Sequence, residues 1–446
     1  MQAFHLLIVI TLIGVSCEEP TKVPQSTLLA SAVAPQGPAS LAAPYIPIVL
    51  RTDPAASCTL YQGERDPAKQ PRLFADDLGT VRFSFGGALD SFAAMNFKLD
   101  CTSTGGTPLP TRMLDSSSLV TDPGPVGNVV PALTGDPLVP SQNELRKRGY
   151  PPRPDPTANP DNYAMWLKMV SVDTTLVNGR SVVVPGGQRN NPENSQSWSG
   201  IVLNHTLAQY FDTVLGYFNE PTLNATTFPG TTEYLASVLW VGLDGSFNNP
   251  VVEQAGVEAD QEIYKDSQGV LNPVQYSFGW VEWFPDPPHS LANFPVLPGD
   301  SLYAWVSANV WVDDGDSGYY IFDPNNMHYG IYNLTRSTQV LGCIGTVANG
   351  CALQPTMGQQ ATGHNAEWIY ERPSQGTYFD DFPDYGTSSI TGAQAEAVGD
   401  LAWHNWFTEP YDNFTTKAAD TDILSTASAA GTSTAPVVNF TWKGFD

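Results

Sequence analysis

The stretch YLASVLWVGL (residues 234–243) decides the fold. Aliphatic, β-branched and aromatic residues follow one another with no helical spacing, as expected of a strand buried within a sheet. The same texture recurs on both sides of it. WSGIVL (198–203), VQYSFGWVEWF (274–284), DSLYAWVSANVWV (300–312), GYYIFD (318–323), HYGIYNL (328–334) and EWIYE (367–371) alternate or run apolar, with Gly, Pro and Asn turns between them. VVNFTW (437–442) supplies a last strand, whereas the Ser/Thr/Ala-rich stretch 421–435 reads as a loose loop. Strands this numerous, with little helix, predict an all-β sandwich or barrel of roughly 200–250 residues.

Composition agrees. The 446 residues include 38 Gly and 38 Pro, which favour turns and short strands, and 41% hydrophobic residues with 11% aromatics, which can fill a large core. Forty-five acidic against 20 basic residues give a net charge of −25, which argues against nucleic acid or an anionic membrane as partner. Few basic groups also mean little self-repulsion once carboxylates protonate near pH ~4, so the balance suits an acidic medium.

MQAFHLLIVITLIGVSC (1–17) reads as a signal peptide, its apolar run too short for the ~20 residues a span requires. Cys17 offers the alternative of a lipid anchor, and no later segment is apolar enough to span a membrane. The remaining cysteines form an even set, with Cys58–Cys101 and Cys343–Cys351 as the natural pairs in an oxidising compartment. Sequons at Asn204, Asn224, Asn333, Asn413 and Asn439 are candidate glycosylation sites.

Residues 18–150 form a prosegment or accessory region: a Pro/Ala/Ser leader, then short alternating pieces YIPIVL, TVRFSF and FKLDC stapled by Cys58–Cys101. The basic cluster Arg146-Lys147-Arg148 marks a candidate processing site at Arg148, or else a solvated loop charge. Residues 151–196 read as a linker whose DNYAMWLKMVS (161–171) has the spacing of a short amphipathic helix.

Two segments carry the chemistry. VEQAGV (252–257) brings Gln254 to one strand, and NAEWIYE (365–371) brings Glu367 to another. A carboxylate can take a proton from water while an amide N–H holds the oxyanion, so this pair meeting in a cleft can hydrolyse a peptide bond without metal, cofactor or covalent intermediate. Taken without other context, the two are polar residues on a solvated sheet face.

From Ser197 onward, SWSGIVL, LWVGLDG, QAGV, WVEWFP, PGDSL and NAEWIYE follow one another in an order and spacing that resemble the eqolisin, or glutamic peptidase, family. The resemblance covers residues 197–446. It implies a two-sheet antiparallel β-sandwich of the concanavalin A-like or jelly-roll type, with Gln254 and Glu367 at the catalytic positions. Trp198, Trp240, Asp244, Trp280 and Glu282 fall at supporting cleft positions. Two departures stand out: Glu258 where the family has an Asp that would orient the amide, and Val281 where it has Tyr. The function implied is a secreted acid endopeptidase acting on proteins or peptides, with a monomer taken as the default.

Other readings remain open. A carbohydrate-binding or glycoside-hydrolysing lectin-like sandwich would use Trp240, Trp280 and Trp283 as sugar platforms, with Glu282 and Glu367 as a carboxylate pair ~5.5 Å apart. A non-catalytic adhesive relative is the third reading. GDSG (315–318) reads as a hairpin turn rather than a serine nucleophile, and DDGDSG lacks the spacing of a calcium loop. The six histidines show no metal-ligand spacing; His364 and His404 read as surface or cleft-edge residues.

Overall fold

The computed structural model describes residues 45–445 apart from 63–71, 87–96, 115–126, 158, 178–180, 184–195, 205–209, 226–233, 247–248, 250, 266–267, 313–318, 348–350, 357, 376–377, 399 and 419–421. The signal-peptide and Cys17 expectations, and GDSG itself, lie outside them; the strands flanking GDSG, Asn309–Val312 and Tyr319–Phe322, pair antiparallel. All described residues belong to one compact unit, Leu41–Asp446.

Nearly everything is strand, in two large antiparallel layers. The front sheet runs, neighbour by neighbour, through Tyr411–Lys417, Trp198–Asn204, Asn365–Glu371, Tyr234–Asp244, Val252–Lys265, Leu271–Phe284, His289–Pro295 and Ser181–Val183. The back sheet is built around Phe211–Asn219, which pairs with Ser301–Ser307 on one side and Thr387–Ala397 on the other. Tyr411–Lys417 also pairs with Ile423–Gly431 of the back sheet, joining the layers at one edge.

Parity explains why 234–243 reads as a run rather than an alternation. Leu239, Val241 and Leu243 point into the main core between the sheets, with Val257, Val281, Trp283 and Trp368 from neighbouring strands. Val238 and Trp240 point the other way, into a second apolar cluster with Trp198, Val202, Val252, Trp280 and Ile369. Both faces are buried, so both are apolar.

The outer face of the back sheet is closed by the helix Pro160–Val170, close to the predicted span. Pro160 starts it, where a missing N–H costs nothing. Its buried Trp166, Met169 and Val170 pack with Leu215, Tyr217, Tyr303, Trp305 and Tyr332. The stretch 421–435, expected to be a loop, is mostly the strand Ile423–Gly431, because its pairing with Pro436–Trp442 from Ser425 to Gly431 outweighs the weak strand propensity of Ser and Ala.

Both predicted disulfides form. Cys58 lies directly opposite Cys101 on neighbouring strands. Around it, Leu50, Leu60, Phe83, Phe85, Phe97 and Leu99 make a separate core that takes in Val274 and Tyr276 of the front sheet. The strand Thr80–Gly86 adds Phe85 and Ser84 to the edge of the front sheet at Val274 and Gln275. Gly127–Val130 pairs with Thr174–Val177, which pairs with Thr338–Ile344 of the back sheet. The N-terminal region is therefore woven into the sandwich at two places.

Among the sequons, Asn333 corrects its expectation: it is 1% exposed and its amide donates to the Pro295 carbonyl and Asp300, so it is a structural residue with no room for a glycan. Asn413 and Asn439 are exposed. The basic cluster sits not in a loop but on and just after the helix Gln142–Lys147, capped by reciprocal Ser141–Glu144 hydrogen bonds, with Lys147 and Arg148 exposed.

Each disulfide lies wholly on one side of Arg148. A chain nicked there is expected to stay together as a two-piece protein under native conditions and to separate in denaturant without reductant. Size-exclusion chromatography of the nicked protein checks this; loss of the N-terminal piece in native buffer contradicts it.

Candidate active site

The site is one cross-strand row of the front sheet, on the face away from the back sheet. Gln254 lies opposite Glu282 on one side and Gly242 on the other; Gly242 lies opposite Glu367, and Glu367 opposite Val202. Residues directly opposite in an antiparallel ladder share a face, so Glu282, Gln254 and Glu367 project together. Gln254 and Glu367 stand two strand spacings apart, about 10 Å between backbones, with a glycine between them.

The next row holds Trp280, Gly256, Trp240, Ile369 and Gly200. The row after that holds Phe278, Glu258, Val238, Glu371 and Trp198. Trp198 meets Trp240 edge-on at 4.8 Å between ring centroids. A Cβ on Gly242 would lie 2.7 Å from both Trp240 Cζ3 and the Glu253 carbonyl oxygen, so the glycine is what lets the indole lean into the space between Gln254 and Glu367.

Gln254 Nε2 donates to Glu282 Oε2 at 2.5 Å, which orients the amide. Asp244 ends its strand in a left-handed conformation, φ 65°. Its buried carboxylate accepts from the backbone N–H groups of Thr362, Gly363 and His364 and from the Thr362 hydroxyl. It thereby ties the turn before residue 365 to the end of the neighbouring strand and positions the strand that carries Glu367.

Several expectations are corrected here. Glu258 lies four residues along the strand from Gln254, about 13 Å away, and does not orient its amide; Glu282 does. Val281 belongs to the core between the sheets, so its departure from Tyr leaves the site face untouched. Trp283 is buried in that same core and cannot form a sugar platform with Trp240 and Trp280. Glu282 and Glu367 are three strand spacings apart, about 14 Å between backbones, with Gln254 and Gly242 between them, which does not suit a retaining glycosidase. His364 is exposed beside Thr362, and half-buried His404 pairs with Glu409 at 2.7 Å.

Three residues of the site were not anticipated: Gly242, Glu253 and Glu371. Strand parity offered a signal for Glu371, since residues four apart on a strand share a face. Gly242 and Glu253 matter through contacts across strands, which no local pattern records.

The electrostatics are those of crowded, dry carboxyls. Gln254 is 2% exposed, and Glu282 and Glu367 are 0% exposed. Burial pushes the Glu367 carboxyl well above the ordinary range, and the carboxylates of Asp244, Glu253 and Glu371 push it further. Glu253 is raised by burial and then by Asp244, and Glu220, outside the site, by burial and then by Asp300.

A raised carboxyl keeps its proton in the folded chain after the unfolded chain has lost it. The stability these three residues allow is thus full below pH ~4.5 and falls as pH rises toward their folded values, by about 1.4 kcal/mol per pH unit for each. Urea unfolding is expected to show a less stable protein at pH 7 than at pH 4, with a shallower decline in Glu253→Gln. A stability that rises from pH 4 to 7 contradicts this.

Gly242→Ala forces Trp240 or the Gln254 strand to move, and is expected to cost about 1–3 kcal/mol by overpacking. Thermal unfolding and the near-ultraviolet circular dichroism of the tryptophans measure it; an unchanged melting curve and spectrum would show the contact to be soft.

Comparison with known proteins gives the family of the chain. A family model described as Peptidase A4 matches residues 196–434. Aspergillopepsin-2 of Aspergillus niger is 25% identical over 224 residues, covering 47% of this chain and 67% of its own. Among solved structures, scytalido-glutamic peptidase with a transition state analog inhibitor aligns at 18% identity with a TM-score of 0.39, over 56% of this chain and 98% of its own. Aspergilloglutamic peptidase from Aspergillus niger aligns at 20% identity with a TM-score of 0.32, over 47% of this chain and 99% of its own.

Proposed function

The chain belongs to the peptidase A4 family and is a glutamic-type peptidase acting on protein substrates; from that premise we propose a secreted acid endopeptidase in which Glu367 and Gln254 do the chemistry. What supports the assignment is the cross-strand row Glu282–Gln254–Gly242–Glu367, which sets a carboxyl and an oriented amide on one face with a glycine between them.

In this reading ionised Glu367 takes a proton from water as the water oxygen bonds to the scissile carbonyl carbon. The carbonyl π pair moves onto oxygen, and the Gln254 N–H not held by Glu282 donates to that oxyanion. Protonated Glu367 then delivers its proton to the amide nitrogen as the carbon–nitrogen bond breaks. The base ends ionised, ready for another cycle.

Two opposed requirements bound the working range, and the rising limb lies in acid only once opening of the face to water returns Glu367 toward its ordinary value of about 4.3. Glu367 must be partly ionised to act, yet the buried carboxyls of Glu253 and Glu367 hold together best with protons on them. The first sets the rising limb of activity with pH and the second the falling limb. Because the pair is closed from solvent in this arrangement, a substrate strand enters only when the face opens. The apolar start of the chain and the two disulfides support secretion. Exposed Asn413 and Asn439 are the sequons best placed for glycans. Residues 18–150 remain the proposed prosegment or accessory region, and the protein is taken as a monomer.

The test is digestion of a denatured protein from pH 2 to 7 by the purified secreted protein, Gln254→Ala and Glu367→Gln. Cleavage in acid that falls at least about 100-fold in each variant is expected, the scale of losing an oxyanion donor or a general base. Undiminished cleavage in Glu367→Gln removes the base assignment, and undiminished cleavage in Gln254→Ala removes the oxyanion role.

A further inference from the structure

Glu371 is a carboxylate of this face that neither general base nor oxyanion donor accounts for. It lies four residues beyond Glu367 on the same strand, opposite Trp198 and Val238, and is 2% exposed. Its Oε2 accepts the indole N–H of fully buried Trp240 at 2.8 Å. At the far side of the same indole, Cζ3 and Cε3 lie 2.7 and 3.1 Å from the position a Gly242 Cβ would occupy. The ring therefore bridges Glu371 and the gap between Gln254 and Glu367. Trp198 packs its edge against that ring, and Gly256 backs it so closely that a Cβ there would meet Trp240 Cβ at 2.6 Å.

We infer that Glu371 is a positioning residue: by accepting the Trp240 indole N–H it fixes the ring that bounds the reacting space at Gly242. A tryptophan ring packed only by apolar contacts can slide or flip; a charge-assisted hydrogen bond at its one polar atom pins both its tilt and its depth. The inference rests on the assignment of Gln254 and Glu367 as the reacting pair, because only then does the ring wall the space where the scissile carbonyl sits. Glu371 also has a second, electrical effect. Together with Asp244 and Glu253 it is one of the carboxylates that help hold the proton on Glu367, after burial.

These two effects separate in substitutions. Gln at 371 keeps a carbonyl oxygen to accept the indole N–H but removes the charge, whereas Leu removes both. Full-length protein carrying Glu371→Gln, Glu371→Leu, Trp240→Phe or Glu367→Gln is compared by kcat and KM on one peptide from pH 2 to 7, and by near-ultraviolet circular dichroism. Glu371→Leu is expected to lose roughly 10–100-fold in kcat/KM, the scale of a hydrogen bond to a charged group, and to change the tryptophan bands. Glu371→Gln is expected to recover most of that loss and the tryptophan spectrum, and to move the rising limb of the pH profile to lower pH because a negative neighbour of Glu367 is gone.

A Gln variant as impaired as Leu, or a Leu variant indistinguishable from the unmodified protein, overturns the inference. If Glu371→Leu does not fold, Trp240→Phe removes the N–H together with the part of the indole that reaches Gly242, and so leaves Glu371 no ring to hold. It is then expected to lower kcat/KM by itself, and adding Glu371→Gln should cost no more; additive losses overturn the inference. Full activity in Glu367→Gln instead overturns the catalytic assignment. The spectra of the 371 variants still report in that case whether Glu371 holds the ring.

Discussion

The antiparallel register of five front-sheet strands is the constraint on which the site depends. Tyr234–Asp244, Val252–Lys265 and Leu271–Phe284 follow one another in the chain while Trp198–Asn204 and Asn365–Glu371 come from elsewhere, yet their pairing sets Glu282, Gln254, Gly242, Glu367 and Val202 in one line. A slip of one residue in any strand would send its member of the row into the core between the sheets. Burial on both faces prevents this: Leu239, Val241, Val257, Val281 and Trp368 on one side and Trp240, Trp280 and Ile369 on the other each have a packed place. Hydrophobic packing thus determines where the chemistry stands.

The same burial creates the electrical character of the site. A carboxyl without water resists ionisation, and Glu367 is kept among Asp244, Glu253 and Glu371, which raise the cost further. In a neutral medium this would be a liability of the fold. At low pH the protons held by Glu253 and Glu367 neutralise the crowding. The scarcity of Lys and Arg across the chain, 20 in 446 residues, acts in the same direction, because few positive charges remain to repel when carboxylates are neutral.

The N-terminal region adds a second layer to this picture. Its strand Thr80–Gly86 extends the front sheet at Val274 and Gln275, and its core shares Tyr276, two residues from Phe278 on the site face. Phe74 meets Phe278 at 6.1 Å between ring centroids. The region therefore borders the face that bears Gln254 and Glu367, and any opening of that face involves strands it holds.

Much of this was legible from residues alone. Runs such as YLASVLWVGL announced strands buried on both faces, an even set of cysteines announced both disulfides, and the spacing of Tyr163, Trp166, Leu167 and Val170 announced the helix. QAGV and AEWIYE pointed to Gln254 and Glu367 through their resemblance to the eqolisin family, whereas strand pattern alone read them as a solvated sheet face. Neighbours along the chain therefore suffice for strand, helix, and which side chain shares a face with which. Tertiary structure alone decided what depends on neighbours across strands. Glu282 rather than Glu258 holds the Gln254 amide, Trp283 belongs to the core, Asn333 serves Asp300 instead of a glycan, and residues 423–431 form a strand because a partner lies beside them. The physical reason is that a strand makes its hydrogen bonds and side-chain contacts with other strands, so its own sequence states its faces but not its partners.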